Sequence, residues 1–485
     1  MLTNKQRESI GLKYILDKLT CHSPYGIELV RRFVSGHGTY KKTVNDLNIE
    51  FDNIEKAKAL TSRQTTLLCN CLAHLINIRG TVNKCENLTL SEVELFELKG
   101  FLLTYLKFRN ILKEVKFSPE GIQFPSLIGA LDVLDPTRRR IAPFSIENDF
   151  SVNLSQIRHQ KALIETLISS EGMTEELLLE RAEIVAREDS EEARVMETLT
   201  QDLRRFVNIL RDVMDSIGKV DLIMAKAQLT KHYNAVRPTI TQTNIKLTDM
   251  LNPYMEDALT KTGGNFKSIS ICLQKGATVI TGANMGGKSV AIKTVMLNTI
   301  LCQMGFFVFA KKAEIPIIDD IILIAEESQS NYISSFGNEM KAINELIPII
   351  KKGFMFIALD EPARSTNPVE GWAIVRALVA YLAESESISV IATHYDKVTP
   401  PGAAHYQTAG LHADASEKLK KGWSESLVRD LIDYSLIKVD SLTPVPKDAL
   451  NICKMIGLNS MLLKKIEHFL ESSSDTKLHS RYEGE

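Results

Sequence analysis

Residues Gly282-Ala283-Asn284-Met285-Gly286-Gly287-Lys288-Ser289 carry a spacing suited to holding phosphates: a glycine, four residues, then Gly-Lys-Ser. Glycines let the backbone wrap an anion, the N–H groups of a following helix face it, and a lysine adds a mobile positive charge. Lys288 is that lysine, Ser289 offers a hydroxyl to Mg2+, and Val290 continues into the helical run SVAIKTVMLNTILCQM. The alternative is a glycine-rich turn that merely caps a helix. The strand-like run ATVIT before the loop argues against it.

A second element lies about seventy residues downstream, where the apolar run MFIALD ends in Asp360-Glu361. One carboxylate there can sit beside Mg2+, and the next can orient or deprotonate an attacking water. Phosphoryl transfer needs little beyond such positioning and charge neutralisation. Alone, an Asp-Glu pair after a strand is weak; behind a phosphate loop it is strong. A third run, ISVIAT, ends at Thr393-His394. His394 reads either as a γ-phosphate sensor or as a satisfied polar residue at a strand end, and its company favours the sensor. Glu361, Lys288 and His394 are therefore the expected catalytic group, Ser289 and Asp360 the metal group, with ATP and Mg2+ as cofactors.

These residues need a scaffold. From about residue 246 the apolar runs ISICL, ATVIT, IPIIDDIILIA, MFIALD and ISVIAT alternate with helical segments, the signature of a mainly parallel sheet with crossover helices. Residues 246–445 are thus expected to form an α/β nucleotide-binding domain. Residues 1–150 read as a helical domain, with apolar positions such as Leu67, Leu68, Leu72 and Leu75, then Leu95, Leu98, Leu102 and Leu106. Prolines at 119, 125, 136 and 143 loosen its last part. Residues 151–245 read as two antiparallel helical arms. Leu154, Ile157, Ile164 and Ile168 mark the first, and a regular seam from Leu199 to Met224 marks the second. Residues 171–192, nine acids against two arginines, are expected at the hairpin tip, as a solvated turn or a docking surface. Residues 446–485 read as a helical segment with a frayed polar tail.

Bulk properties are those of a globular chain: 485 residues, 44% hydrophobic, 24% charged, net charge −2. No overall basic excess argues for nucleic acid. The cysteines are scattered, and Cys69-x-Cys71 sits among leucines, so buried thiols are expected rather than metal ligands. The N-terminus lacks an apolar signal core and no run is long enough to span a membrane, which points to a cytoplasmic protein without a membrane partner.

Together the motifs resemble the MutS ATPases of DNA mismatch repair. TGANMGGKS is similar to that family's TGPNMGGKST. Gly305-Phe-Phe-Val-Phe-Ala310 resembles its G-x-x-V-P-A stretch, Ser334-Ser-Phe-Gly-Asn-Glu339-Met340 its S-T-F-x-x-E-M motif, and Thr393-His-Tyr395 its T-H-Y. More faintly, LTCHSPYGIELVRRF resembles the start of the family's core domain. The resemblance implies an ABC-type ATPase domain preceded by an all-α core and lever arms. It also implies a dimer, with itself or a related subunit, in which Ser334 reaches the partner's nucleotide and Asn284 lies near the phosphates.

Three departures shape the expected function. The faint likeness of its first residues to the family's core domain leads to the expectation that mismatch-reading N-terminal domains are lacking, and Phe469-Leu470-Glu471 reads as a helical core segment instead of a wedge. The acidic tip would repel a phosphate backbone, and Arg138-Arg139-Arg140 reads as a solvated loop. The family's D-E-x-G-R-G-T-S becomes Asp360-Glu-Pro-Ala-Arg364-Ser-Thr-Asn367. That loop and the late DYSL…PKDALNI segment look most like a truncated MutS-like group that reactivates cobalamin-dependent aminomutases. The expectation is an ATP-driven dimeric clamp acting on a protein client, with a DNA structure as the alternative.

Overall fold

A computed structural model of the chain describes residues 2–34, 40–41, 43–261, 263–282, 286–325, 335–411, 432–440, 443, 450, 453–454 and 457–479. Contacts divide the chain into two units: Leu19–His37 with Asp52–Gln228, and Met1–Lys18 with Gly38–Phe51 and Leu229–Glu485. This partition cuts across the boundaries expected at 150 and 245.

In chain order the early helices are α1 (Asn4–Ser9), α2 (Leu12–Asp17), α3 (Pro24–Val34), α4 (Val44–Lys58), α5 (Ser62–Ala73), α6 (Arg79–Asn87), α7 (Glu92–Glu114) and α8 (Ile128–Leu134). Then follow α9 (Val152–Glu171), α10 (Glu175–Arg204), α11 (Val207–His232), α12 (Pro253–Lys261), α13 (Lys288–Gln303), α14 (Ser335–Ile350), α15 (Pro368–Ala383) and α16 (Ser460–His479). The strands are β1 (Thr239–Thr241), β2 (Ile245–Met250), β3 (Ile269–Leu273), β4 (Gly276–Thr281), β5 (Lys312–Pro316), β6 (Asp320–Ala325), β7 (Met355–Asp360), β8 (Ile388–Thr393), β9 (Ala404–Leu411) and β10 (Ile432–Lys438).

The unit of residues 19–37 and 52–228 is helical throughout its described secondary structure. Capping boxes at Thr61/Gln64 and Ser91/Glu94 start α5 and α7, each satisfying orphan N–H groups reciprocally. On α7, Leu95, Leu98 and Leu102 are buried as the periodicity requires, together with Phe101, Tyr105 and Phe108. Asp221 of α11 is fully buried and accepts hydrogen bonds from the N–H groups of His22 (2.9 Å) and Ser23 (2.6 Å) and from the Ser23 hydroxyl (2.7 Å). These bonds fix the first turn of α3, where the SPYG sequence begins.

α9 and α10 form an antiparallel hairpin whose seam is Ile157, Ile164 and Ile184, with Ile168 and Leu177 alongside. Its turn is only Gly172–Thr174, because the Thr174 side chain accepts from Leu177 N–H and starts α10 at once, with Glu175 and Glu176 in the favourable first turn. The acidic stretch is therefore mostly the N-terminal half of a helix and not the tip itself. The Leu199–Met224 seam is likewise divided between two helices. α10 stops at Arg204, where Phe206 N–H bonds Leu203 O at 2.9 Å and tightens the backbone before α11. The Arg138–Arg140 run is paired: Arg138 and Arg140 meet Asp132, and Arg139 meets Glu147 at 3.1 Å.

The other unit holds two sheets. Six strands in the order β10-β9-β4-β8-β7-β6 are parallel except for β10 at the edge. This is the mainly parallel sheet expected from the apolar runs. β4 and β8 are buried along their whole length, as strands covered on both faces must be. α15 packs on β4, and Val279, Ile357, Leu359 and Ile391 meet Val375, Val379 and Leu382 in the core. A second sheet, ordered β1-β5-β2-β3 and mostly antiparallel, was not anticipated. It splits the run IPIIDDIILIA, whose first two residues end β5 while its last six, Asp320–Ala325, form β6. α16 runs on to His479, through residues expected to be frayed, and Phe469 on it is 68% exposed, so it is no core residue. Among the described residues no helix is long and apolar enough to cross a membrane.

Candidate functional site

Parallel strands leave a crevice beyond their carboxyl ends, and the chemistry-bearing residues gather there. The register pairs Thr281 of β4 with Thr393 of β8, and Ala392 of β8 with Asp360 of β7. Three neighbouring strands therefore deliver the phosphate loop, the Thr-His pair and the Asp-Glu pair to one edge. Glu361 N–H extends the ladder by bonding Ala392 O at 3.0 Å.

Gly287 is the N-cap of α13 with a φ of +85°, and a Cβ there would lie 2.7 Å from Tyr434 Cδ1. Gly282 has a φ of +146°, and a Cβ would meet the Thr408 hydroxyl at 1.9 Å. Only glycine suits either position. The loop then feeds directly into α13, so the helix N-terminus faces the crevice. Ala283, Asn284 and Met285 lie outside the described residues, as does Ser334. Gly286 is buried, and Val290 is half-buried in the first turn of α13.

Lys288 is 3% exposed; its ammonium donates to Gly282 O at 2.8 Å and stands 3.5 Å from Glu361 Oε1. Burial pulls its pKa below the ordinary lysine value, against the opposing pull of Glu361. The Ser289 hydroxyl donates to Asp360 Oδ1 at 2.8 Å. Burial raises the Asp360 carboxyl above the usual carboxylate range, with the Ser289 hydrogen bond working against it. Glu361 also meets Arg364 at 3.1 Å. Burial lowers the pKa of His394, while the charge of Glu361 opposes the shift. The structure thus brings Lys288, Ser289, Asp360 and Glu361 into one contact network, with His394 at the end of the intervening strand.

Beside them is a cavity of about 380 Å3 whose wall includes Ser289, Lys293, Asp360, Glu361 and Arg364. Lys5, Gln6 and Ser9 of α1 complete that wall, and Gln6 Nε2–H donates to Leu323 O at 3.1 Å. Nothing in the sequence pointed to α1, which is separated from the loop by most of the chain. His405 was also missed. It is 4% exposed, with Nε2 2.8 Å from the Thr281 hydroxyl and Nδ1 3.0 Å from Asp440 O. The carbonyl requires Nδ1 to carry the proton, so Nε2 accepts from Thr281 at the root of the loop.

The donor set suits a hard cation. A hydroxyl and a carboxylate, both oxygen, sit 2.8 Å apart at the cavity wall, the ligand type Mg2+ shares with substrate phosphates. Among the described residues no cluster of three His, Cys, Asp or Glu side chains forms a separate metal site. Cys69 and Cys71 are buried free thiols, as their leucine neighbours suggested.

Residues 278–456 match the family model for MutS domain V. The chain is 28% identical over 232 residues to Endonuclease MutS2 of Leuconostoc mesenteroides, covering 46% of this chain and 28% of that protein. It is 26% identical over 297 residues to Endonuclease MutS2 of Acetivibrio thermocellus, covering 59% and 35%. It is 27% identical over 273 residues to the DNA mismatch repair protein MutS of Natronomonas pharaonis, covering 54% and 31%. The chain spans about a third of the length of these curated relatives. Its similarity to MutS-family proteins includes the domain that carries the site.

Proposed function

We propose that this chain is a MutS-like ATPase that binds ATP with Mg2+ and hydrolyses it. The observation that carries this reading is the convergence of Lys288 and Ser289, beyond the end of β4, with Asp360 and Glu361, at the end of β7, on either side of β8. Burial lowers the pKa of Lys288 and raises that of Asp360, so it disfavours the charged form of each while their neighbours oppose it. A polyphosphate beside Lys288 favours the ammonium, and a cation beside Asp360 favours the carboxylate, so the site is matched to a ligand carrying both signs. Lys288 neutralises phosphate charge, Ser289 and Asp360 hold the cation, and Glu361 orients the water and takes its proton. Mg2+, when bound, supplies charge neutralisation to the phosphate oxygens. His394, two residues beyond the strand position that pairs with Asp360, is the proposed γ-phosphate sensor, and Ser334 the group offered to the partner's nucleotide in a dimer.

Glu361→Gln tests the assignment. It should lower kcat by about 100-fold or more, the usual scale for a general base, while leaving ATP binding in place. Turnover at the normal rate would remove Glu361 from the role.

For the client, the names of the relatives support DNA work: a MutS-like protein of repair or recombination acting on DNA structure. A protein client, as in reactivation of cobalamin-dependent aminomutases, is the second reading. The exposed Glu175, Glu176, Glu180 and Glu183 of α10 favour it, because they would repel a phosphate backbone. Pull-down with the ATP-loaded Glu361→Gln protein separates the two. Labelled duplex or branched DNA retained on the trap supports the first, and a DNA-free protein complex supports the second.

A further inference from the structure

The segment after Glu361 is held in a shape that its residues do not choose. Glu361 has a φ of +53° and Ala363 a φ of +57°, a left-handed backbone that non-glycine residues rarely adopt. Such conformations persist only where the surroundings over-determine them. Around Ala363 they do. The residue is completely buried. Its N–H donates to Glu339 Oε1 at 3.0 Å, and its carbonyl accepts from the Tyr395 hydroxyl at 3.3 Å. Gly371 of α15 leaves the room for this contact, since a Cβ there would lie 2.2 Å from the Tyr395 hydroxyl and 2.9 Å from Ala363 O. On the other side, Glu361 N–H is fixed to Ala392 O at 3.0 Å.

We propose that Glu339, on the second turn of α14, is a positioning residue for Glu361, acting by holding Ala363 in its left-handed conformation. The inference rests on the reading of Glu361 as the hydrolytic base. Its logic is mechanical. Pro362 fixes one torsion between the two residues, so a change at Ala363 swings the peptide that carries Glu361. With Glu339 gone, the Ala363 N–H loses its acceptor in a buried place and the backbone relaxes toward an ordinary region. The carboxylate then leaves the point 3.5 Å from Lys288 and 3.1 Å from Arg364. Nucleotide affinity, which depends on the loop and on Lys288, should change little.

The test is steady-state ATP hydrolysis by the full chain with Glu339→Ala, Glu339→Gln and the double variant Glu339→Ala/Ala363→Gly. Melting temperatures confirm that each is folded. Glu339→Ala should lower kcat by about ten-fold or more with KM within about two-fold, since displacements near 1 Å cost on the order of 100-fold. Glu339→Gln should stay near wild type, because its amide oxygen still accepts from Ala363. The double variant should regain much of the loss, because glycine adopts the left-handed region unaided. Wild-type kcat in Glu339→Ala overturns the proposal, and so does a folded double variant no faster than Glu339→Ala. Glu361→Gln, run in parallel, separates the two levels. If it turns over normally the base is misassigned, whereas if it is dead and Glu339→Ala is fast only the positioning role fails.

Discussion

The strand-end site and the α9–α10 hairpin both pair cations with glutamates, and they do so under opposite conditions. In the site, Lys288 and Glu361 lie 3.5 Å apart with side chains 3% and 15% exposed. On the hairpin, Arg181 and Glu165 lie 3.2 Å apart at 44% and 47% exposure. The distances are alike and the surroundings differ. In the site, desolvation shifts the lysine, and an arriving polyphosphate can exchange for the glutamate at little cost in water structure. On the hairpin both partners keep their hydration, so the pair holds almost nothing, and the apolar seam beneath it does the holding. Proximity of charge therefore does not distinguish these two pairs; removal from water does.

The sharpest way to break this contrast is Lys288→Ala. It should weaken ATP affinity by about 100-fold or more, equivalent to about 2.7 kcal/mol, as measured by nucleotide titration. Unchanged affinity would mean that the buried pair is structural. The hairpin should respond to a different deletion. Ile184→Ala removes the α10 member of a three-residue buried seam and should cost about 2–4 kcal/mol, read as lost hydrogen-exchange protection in α9 and α10. A hairpin that keeps its protection would show that its charged edge, and not the seam, sets its stability.

Most of the site could be read from the sequence because its signals are local. Gly282 to Ser289 and Asp360-Glu361 each follow an apolar strand, and a parallel sheet needs only adjacency of those strands to bring them together. The parallel sheet was legible for the same reason: Ile357, Leu359, Ile391 and their neighbours form unbroken apolar runs. β2 was not, since its burial alternates over only six residues and its partners come from distant segments. Lys5 and Gln6 of α1 and His405 of β9 reach the site or its root through tertiary packing alone, which no spacing rule encodes. The hairpin turn, Gly172–Thr174, falls inside the expected 171–192 stretch but takes up only its first few residues, for a chemical reason. Nine acids suggested a solvated tip, yet alternation with Leu177, Ile184 and other apolar positions is what a helix with one buried face shows, and Thr174 was the true boundary.

The smallest expected effect is also the one that isolates the comparison. Arg181→Gln removes the cation of the exposed hairpin pair while keeping a long polar side chain. Coulomb attraction at this separation is weak in a water-like dielectric, and ordering two long side chains opposes it. The hairpin should lose no more than about 0.5 kcal/mol, and even that difference should shrink as salt is raised from low to about 0.5 M, where screening acts over a few ångströms. Neighbouring pairs offer an internal control. Arg158 bonds Glu188 at 2.9 Å and Glu192 at 2.6 Å, and Glu188 is 8% exposed, so this group is more nearly enclosed than Arg181–Glu165. If exposure governs the strength of a pair, Arg158→Gln should cost measurably more than Arg181→Gln and should depend less on salt. Equal costs for the two, or a salt-insensitive loss at Arg181, would show that burial is not the variable separating the site from the arm.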